Sequence, residues 1–226
     1  MTTYLLTGAT RGIGLEFARQ LSQRDKEAVI LATARDPGKH AELARLVHEV
    51  LPLDVADPAS IDALPGLLKD RPIDVLINNA GVSSDQRSVA DLSMTELQRV
   101  FAVNSFGPML VVQKALANLR KGDRKVIFNI SSQLGSITNN KGGSSYPYRA
   151  SKTALNQLTV SLSSELAGEG FCCVVAHPGW VRTDMGGPNA TLSPEESVRS
   201  MLKVIDGLTG KDSGKFCNYD GATLPW

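Results

Sequence analysis

Short runs of apolar residues alternate with amphipathic stretches along the whole chain. The apolar runs cover residues 4–7, 28–33, 50–53, 75–78, 125–130, 172–176 and 215–218. Most of them are rich in leucine or β-branched residues and do not alternate strictly with polar positions, which is typical of strands covered on both faces. The pattern therefore predicts about seven buried β-strands.

Helical patterns fill most of the intervals between these strands. They cover residues 13–24, 57–69, 93–103, 106–120, 148–168 and 194–208, whereas 132–145 and 186–192 have the composition of loops. Alternating strands and helices favour a parallel sheet with right-handed crossovers. We predict an α/β fold, a Rossmann-type doubly wound parallel β-sheet flanked by helices on both faces. No linker or repeat interrupts the pattern, so we predict one domain over residues 1–226.

The composition excludes several classes of function. Hydrophobic residues make up 42% of the 226 residues, and the net charge of +1 provides no general attraction for nucleic acid or anionic membranes. No run approaches the roughly 20 apolar residues that span a bilayer, and the first residues do not resemble a signal peptide. Cys172 and Cys173 are adjacent on one predicted strand and should point to opposite faces, which disfavours a disulfide. We expect a cytoplasmic protein without nucleic-acid or membrane partners.

A glycine-rich turn follows the first predicted strand and precedes the first helix, in the sequence Thr7-Gly8-Ala9-Thr10-Arg11-Gly12-Ile13-Gly14. Glycine permits a tight turn and a close backbone approach, and the helix N-terminus offers free N–H groups to a pyrophosphate. The spacing differs from G-x-G-x-x-G, and a purely structural turn is the alternative. Its position favours dinucleotide binding by Gly8, Thr10, Arg11, Gly12, Ile13 and Gly14.

The residues at the end of the second strand indicate which dinucleotide the protein binds. An acidic residue at this point would bind the adenosine ribose, but here Ala34 is followed by Arg35. Arg35 and Arg11 together could clamp a 2′-phosphate, which predicts NADP(H) in preference to NAD(H). The alternative is that both are solvated surface arginines. Asp36 complicates the prediction, because it could pair with Arg35 or accept the ribose hydroxyl itself.

Polar residues also follow the third and fourth strands. Asp57 before Pro58 is a predicted helix N-cap, which leaves Asp54 free to contact an adenine amino group. A turn-forming role for Asp54 is the alternative. The segment Asn78–Gly81 closes the fourth strand, and its asparagines can hydrogen-bond backbone and shape the floor of a cofactor cleft.

Tyr148 and Lys152 lie four residues apart at the start of a long predicted helix and therefore share a face. Lys152 lies on the apolar stripe near the helix N-terminus, where the helix dipole disfavours a cation. The alternative is a lysine that extends to solvent beside a packed tyrosine. In the functional interpretation the ammonium group lowers the pKa of Tyr148, which then acts as acid or base. Tyr146 precedes Pro147, is expected to be extended, and has no lysine four residues later.

These motifs together resemble the short-chain dehydrogenases/reductases, a likeness that covers essentially the whole chain. The residues that carry it are Thr7–Gly14, Asn78–Gly81, Asn104, Ile130-Ser131-Ser132, Tyr148-x-x-x-Lys152 and Pro178-Gly179. The segments 177–188 and 216–226 are similar to the C-factor/Sniffer-like carbonyl reductase branch. The resemblance implies an NADP(H)-dependent oxidoreductase that reduces a small carbonyl compound or oxidises the alcohol. The alternative is an NADP(H)-binding regulatory or signalling protein with little turnover.

The resemblance also implies roles for single residues. The family's catalytic tetrad corresponds to Asn104, Ser132, Tyr148 and Lys152, with Asn104 holding a water in a proton relay and Ser131 as the alternative serine. Val181 and Thr183 would hold the nicotinamide carboxamide. No metal ligand is implied, and a homodimer or homotetramer through helices 106–120 and 148–168 is expected. The further cofactor-binding positions are Asp54, Val55, Asn79, Ala80, Gly81, Tyr148, Lys152, Pro178 and Gly179.

The same likeness places a substrate lid after Thr183. Only about ten residues separate Thr183 from the helix that starts near Ser193. A lid this short predicts an open, permissive pocket with Trp180 and Met185 nearby.

Overall fold

Seven strands form one sheet in the computed structural model, which describes residues 1–226. All neighbouring strands are parallel, in the order β3-β2-β1-β4-β5-β6-β7. The predicted doubly wound α/β fold is therefore confirmed, and each strand lies within one residue of its predicted bounds. The strands are β1 Thr3–Leu6, β2 Val29–Ala34, β3 Glu49–Pro52, β4 Val75–Asn78, β5 Val126–Ile130, β6 Cys172–His177 and β7 Phe216–Asn218.

Helices cover both faces of this sheet. On one face α1, α2 and α8 bury residues such as Phe17, Leu43 and Met201 against the strands. Cys172 belongs to this apolar cluster and Cys173 to the cluster on the other face, which confirms their predicted opposite directions. The helices are α1 Gly12–Arg24, α2 Ala41–Leu46, α3 Pro58–Asp62, α4 Leu64–Leu68, α5 Met94–Phe101, α6 Gly107–Lys121, α7 Tyr146–Glu165 and α8 Pro194–Gly207.

Two of the predicted helices have other bounds in the structure. The single helix predicted over 57–69 is divided into α3 and α4, because Pro65 has no N–H to continue the helical hydrogen bonds. The predicted cap is confirmed, since the Asp57 side chain accepts a hydrogen bond from the N–H of Ala59. Helix α7 begins at Tyr146 instead of residue 148, so the expectation that Tyr146 is extended was wrong. Pro147 is tolerated there because N–H groups in the first turn have no helical partner.

The helices predicted over 93–103 and 106–120 form one continuous column. A π-helical segment, Ala102–Phe106, joins α5 to α6. By length and composition the column Met94–Lys121 could cross a membrane, with a mean hydropathy of 1.3 in its most apolar window, contrary to the sequence expectation. In this fold its apolar residues Val111 and Leu119 are buried against the sheet, as in the core helix of an α/β protein.

Lys69 follows α4 in a backbone conformation that residues other than glycine rarely adopt, with φ of 54° and ψ of −140°. Because such strain costs about 1–3 kcal/mol in a residue other than glycine, Lys69→Gly is expected to raise the free energy of unfolding. The expected gain is about 1 kcal/mol after the larger conformational entropy of glycine in the unfolded chain is subtracted. Urea denaturation measures it. The matched variant Lys69→Ala keeps the strain, so equal stability of the two variants would contradict the prediction.

Candidate active site

A cleft of about 530 Å³ opens at the carboxyl ends of the strands, where the strand order reverses between β1 and β4. Such a switch point is where α/β sheets bind ligands. All predicted cofactor-binding residues line the cleft except Gly179, which packs beside Leu192 and Tyr219, and Val181, which is buried in a bridge to Leu192. The lining residues that the sequence did not indicate as cofactor ligands include Val82, Ile130, Arg182, Asp184 and Met185.

The turns after β1 and β4 brace one another. The Asn79 side-chain amide donates to the carbonyl oxygens of Thr7 and Gly8, at 3.0 and 2.9 Å. In return the Thr7 hydroxyl accepts hydrogen bonds from the N–H groups of Asn79 and Ala80, at 3.0 and 3.1 Å. Gly8 has a φ of +64°, and a Cβ there would lie 2.7 Å from the Ala80 Cα. The turns after β1 and β4, about seventy residues apart in the chain, therefore form one rigid floor of the cleft.

The N-terminus of α1 opens onto this floor without a cap. Arg11 occupies the N-cap position, makes no side-chain cap hydrogen bond, and is followed by no acidic residue in the first turn. The first N–H groups of a helix have no helical partner, and the helix dipole favours an anion beside them. The geometry therefore suits a phosphate group at this end of the cleft.

The two arginines of the predicted phosphate clamp have different surroundings. Arg35 is exposed at the end of β2, and Asp36 pairs with Lys39 at 2.7 Å, so the suggested Arg35–Asp36 pair does not form. Arg11 pairs with Asp184 at 3.0 Å across the cleft mouth. Both partners are exposed, and a pair of this kind contributes only about 0–1 kcal/mol, so a phosphate can compete for Arg11.

Asp54 combines its two predicted roles. One carboxylate oxygen accepts a hydrogen bond from the N–H of Ala56 at 2.9 Å, which makes it a turn-forming residue. The residue also lines the cleft beside Val55. The turn therefore holds the Asp54 side chain at the cleft wall.

Tyr148 and Lys152 lie in the first turns of α7 and both line the cleft. Lys152 is only 4% exposed, and its Nζ donates to the carbonyl oxygen of Ile130 at 2.9 Å. The same Nζ lies 5.9 Å from the centroid of the Tyr148 ring. Lys152 is therefore held at the end of β5 and does not extend to solvent.

Burial dominates the titration of this pair. It raises the pKa of the Tyr148 hydroxyl, although hydrogen bonding with Ser132 acts in the opposite direction. It lowers the pKa of Lys152 to about 8, because the charged form is poorly solvated. The ammonium of Lys152 was expected to lower the pKa of Tyr148, but in the protein alone desolvation raises it, and only the hydrogen bonding with Ser132 lowers it. Tyr148 is thus protonated at neutral pH and is suited to donate a proton.

The two candidate serines have different partners. The Ser131 hydroxyl donates to the Asn156 side chain at 2.6 Å, so it is engaged away from Tyr148 even though Ser131 lines the cleft. The Ser132 hydroxyl accepts from the N–H of Leu134 at 3.1 Å and is close enough to Tyr148 to lower the pKa of its hydroxyl. Its proton is not used by the Leu134 hydrogen bond, so it can be donated to the Tyr148 oxygen or, after rotation of the hydroxyl, to another acceptor. The contacts therefore favour Ser132 as the serine beside Tyr148.

Asn104 is fully buried in the π-helical segment and braces the site. Its Oδ1 accepts from the N–H of Val82 at 2.8 Å, and its Nδ2 donates to the Val82 carbonyl and the Ser151 hydroxyl at 2.9 and 3.0 Å. The Ser151 hydroxyl in turn donates to the Tyr148 carbonyl at 2.8 Å. Because both amide hydrogens are used, a relay water held by the Asn104 side chain would have to donate to its Oδ1.

His177 is the last residue of β6 and lies outside the cleft. It is a buried titratable group whose effect on stability can be measured. It is 7% exposed, its Nδ1 has no hydrogen-bond partner, and burial lowers its pKa from 6.5 to about 4. The unfolded chain binds a proton near pH 6.5 and the folded chain only near pH 4. The stability present above pH 6.5 is therefore lost as the pH falls through this window.

We expect the free energy of unfolding to fall by about 2–3 kcal/mol more in the wild type than in His177→Leu between pH 7 and pH 4.5. Urea denaturation of both proteins at the two pH values measures this difference. Parallel losses in the two proteins would show that His177 does not carry the effect.

Comparison with known proteins gives the family. A family model described as short chain dehydrogenase matches residues 2–192. The C-signal protein of Myxococcus xanthus is 47% identical over 155 residues, which cover 69% of this chain and 93% of that protein. Carbonyl reductase Sniffer of D. melanogaster has a TM-score of 0.92 at 33% identity, with both chains covered completely. The NADPH-bound carbonyl reductase from chicken fatty liver has a TM-score of 0.92 at 36% identity, covering 100% of this chain and 94% of that one.

The residues that match the family model include the glycine-rich turn, the hydrogen bonds around Asn79 and the Tyr148–Lys152 pair. The similarity therefore covers the site described above. The chain belongs to the short chain dehydrogenase family of oxidoreductases, in its Sniffer-like and C-factor-like branch.

Proposed function

We propose that this protein is an NADP(H)-dependent oxidoreductase that interconverts an aldehyde or ketone and the corresponding alcohol, with Tyr148 as the acid and base. The observation that carries the proposal is the pair of a partly buried Tyr148 and a buried Lys152, which both line the cleft of about 530 Å³, with Ser132 close to the Tyr148 hydroxyl. Buried titratable groups that converge on a cleft are typical of catalytic sites.

The residues of the cleft fit a dinucleotide phosphate. The uncapped N-terminus of α1 provides N–H groups, and Arg35 is exposed at the end of β2 without an ion pair. No carboxylate occupies the tip of β2, where Ala34 lies. These features support NADP(H), the cofactor named in the chicken carbonyl reductase structure. When bound, the nicotinamide group supplies or accepts the hydride.

The side chains of the site divide the remaining work. The Ser132 hydroxyl would turn its proton from Tyr148 to the substrate oxygen and stabilise the negative charge that develops there. Tyr148, protonated at neutral pH, would donate the proton to that oxygen. Lys152 uses one N–H for the Ile130 carbonyl and keeps two for the cleft, where its charge favours the tyrosinate left after proton transfer.

Turnover is the direct test of this function. Purified protein is mixed with NADPH and a panel of aldehydes, ketones, isatins and quinones, and NADPH absorbance is followed. We expect oxidation of NADPH that depends on the carbonyl compound. A wild-type protein that binds NADPH but reduces no member of the panel would contradict the proposal.

Arg35 is expected to select the phosphorylated cofactor. Arg35→Ala should raise the KM for NADPH about 10–100-fold, the equivalent of one charge-assisted hydrogen bond, and leave the KM for NADH almost unchanged. Steady-state kinetics with both cofactors measure the two values. Arg45→Ala, which removes an exposed arginine of α2 outside the cleft, is the matched control. Equal increases for NADPH and NADH would contradict a role in phosphate recognition.

A second candidate is an NADP(H)-binding regulatory protein with little turnover, and the similarity to the C-signal protein favours it. It predicts tight NADPH binding without substrate reduction and a cellular phenotype that survives Lys152→Ala. Loss of the phenotype in a folded Lys152→Ala variant would favour the enzyme.

A further inference from the structure

The segment 219–226, which we call the strap, follows β7 and folds back along it. Cys217 and Thr223 form an antiparallel bridge. The N–H of Leu224 donates to the Phe216 carbonyl at 2.8 Å, and the N–H of Asn218 donates to the Ala222 carbonyl, also at 2.8 Å. The strap therefore leaves the last strand along a defined path.

Trp226 anchors the far end of the strap. Its ring stacks on Phe216, with ring centroids 5.5 Å apart and an interplanar angle of 28°. Phe216 is buried in a small apolar cluster with Val175 of β6 and Leu155 of α7. Leu155 lies three residues after Lys152 on the helix that also carries Tyr148. The Trp226 ring is thus held against the same structural unit that positions the proposed catalytic pair.

The strap ends at the loop that begins with Ser132. The Trp226 backbone oxygen accepts hydrogen bonds from the N–H of Thr138 at 2.8 Å and from the Ser136 hydroxyl at 3.1 Å. Ser136 is buried, whereas Ile137 between them is 72% exposed, so the apolar Ile137 side chain does not hold this part of the loop. The two hydrogen bonds to Trp226 therefore attach this part of the loop to the strap.

The other side of the loop rests on α7. The Gly135 carbonyl accepts from the Thr153 hydroxyl at 2.9 Å and from the Asn156 amide at 3.3 Å. A Cβ at Gly135 would lie 2.9 Å from the Lys152 Cβ, so the loop backbone touches the helix directly. The loop 132–138 is therefore clamped between α7 and the strap, with Ser132 at one end of the clamped segment.

We infer that Trp226 is a positioning residue for the reaction at Tyr148. Stacking on Phe216 fixes the Trp226 backbone oxygen, this oxygen holds Ser136 and Thr138, and the held loop sets the Ser132 hydroxyl relative to Tyr148. A displacement of about 1 Å at a reacting group lowers reaction rates about 100-fold. A contact outside the cleft can therefore affect the rate if it shifts Ser132 by this amount. The inference rests on the proposed function, and Trp226 does not line the cofactor cleft.

The test compares Trp226→Ala with the conservative Trp226→Phe and with Thr223→Ala, an exposed position on the same strap. Trp226→Ala is expected to lower kcat for carbonyl reduction about 10–100-fold, with the Kd for NADPH within about two-fold of wild type. Trp226→Phe should restore most of kcat because it keeps a stacking ring, and Thr223→Ala should resemble wild type. Ser136→Ala removes the hydrogen bond to Trp226 and the one that Ser136 Oγ accepts from the Asn139 N–H, and it should give an intermediate kcat if Trp226→Ala folds poorly.

Hydrogen–deuterium exchange separates this inference from the proposed function. Trp226→Ala should increase amide exchange across residues 133–138 and leave exchange in the glycine-rich turn unchanged. An active wild type with an unchanged kcat in Trp226→Ala would overturn the inference. Unchanged exchange across 133–138 would also overturn it, whether or not the protein turns over. An inactive wild type would overturn the proposed function instead, and loop exchange would still decide the role of the strap.

Discussion

Replacement of Tyr148 by phenylalanine is expected to lower kcat for carbonyl reduction by about 10³-fold and to change the Kd for NADPH by less than about two-fold. The substitution removes one hydroxyl group and keeps the ring beside which Lys152 lies, at 5.9 Å from Nζ to the ring centroid. The decrease in kcat therefore reports the loss of the proton donor more than a loss of packing. Because burial raises the pKa of Tyr148, this hydroxyl is a proton donor throughout the neutral range, and phenylalanine cannot replace it.

Tyr146→Phe is the matched control for this experiment. Tyr146 lies two residues earlier on the same helix, is 42% exposed, and does not line the cleft. We expect its kcat to stay within about two-fold of wild type, as is usual for a surface substitution. Single-turnover kinetics with excess enzyme would show whether the chemical step changes in Tyr148→Phe. If both variants retained wild-type rates, Tyr148 would not be the proton donor.

Substitution of Gly14 by alanine is expected to abolish measurable NADPH binding and to lower the free energy of unfolding by about 3 kcal/mol. A Cβ at this position would lie 2.1 Å from the Gly8 carbonyl oxygen, 2.6 Å from the Asn79 Nδ2 and 2.9 Å from the Ala9 Cα. Two of these atoms are backbone, and the third donates to Gly8 at 2.9 Å. The clash can be relieved only by moving α1 away from the braced turn or by breaking the brace.

Gly66→Ala controls for the glycine substitution itself. Gly66 is exposed on the short helix α4, and nothing lies within 4 Å of a Cβ built there. Alanine should stabilise that helix by about 0.5–1 kcal/mol, the ordinary difference between the two residues in a helix. Isothermal titration calorimetry with NADPH and urea denaturation measure both effects. Wild-type NADPH affinity in Gly14→Ala would contradict the close packing described for the turn.

Much of the molecule follows from local pattern. The seven strands, their parallel direction and the helices on both faces could be predicted because apolar periodicity indicates which faces are buried and strands alternate with helices. The buried Lys152 could be predicted as unusual because it lies on an apolar stripe near a helix N-terminus. Helix bounds were less predictable where proline or a π-helical insertion changed the hydrogen bonding, as at Pro65 and Ala102–Phe106.

By itself, then, the sequence determined the fold class, the glycine-rich turn and the spacing that places Tyr148 beside Lys152, because each depends on residues close together in the chain. Only the tertiary structure decided the partners of these groups. Arg11 pairs with Asp184 and the Ser132 loop binds Trp226, residues 173 and about 90 positions apart, which no local pattern connects. The titration of Tyr148 and Lys152 was also decided there, because desolvation depends on how completely distant segments enclose a group.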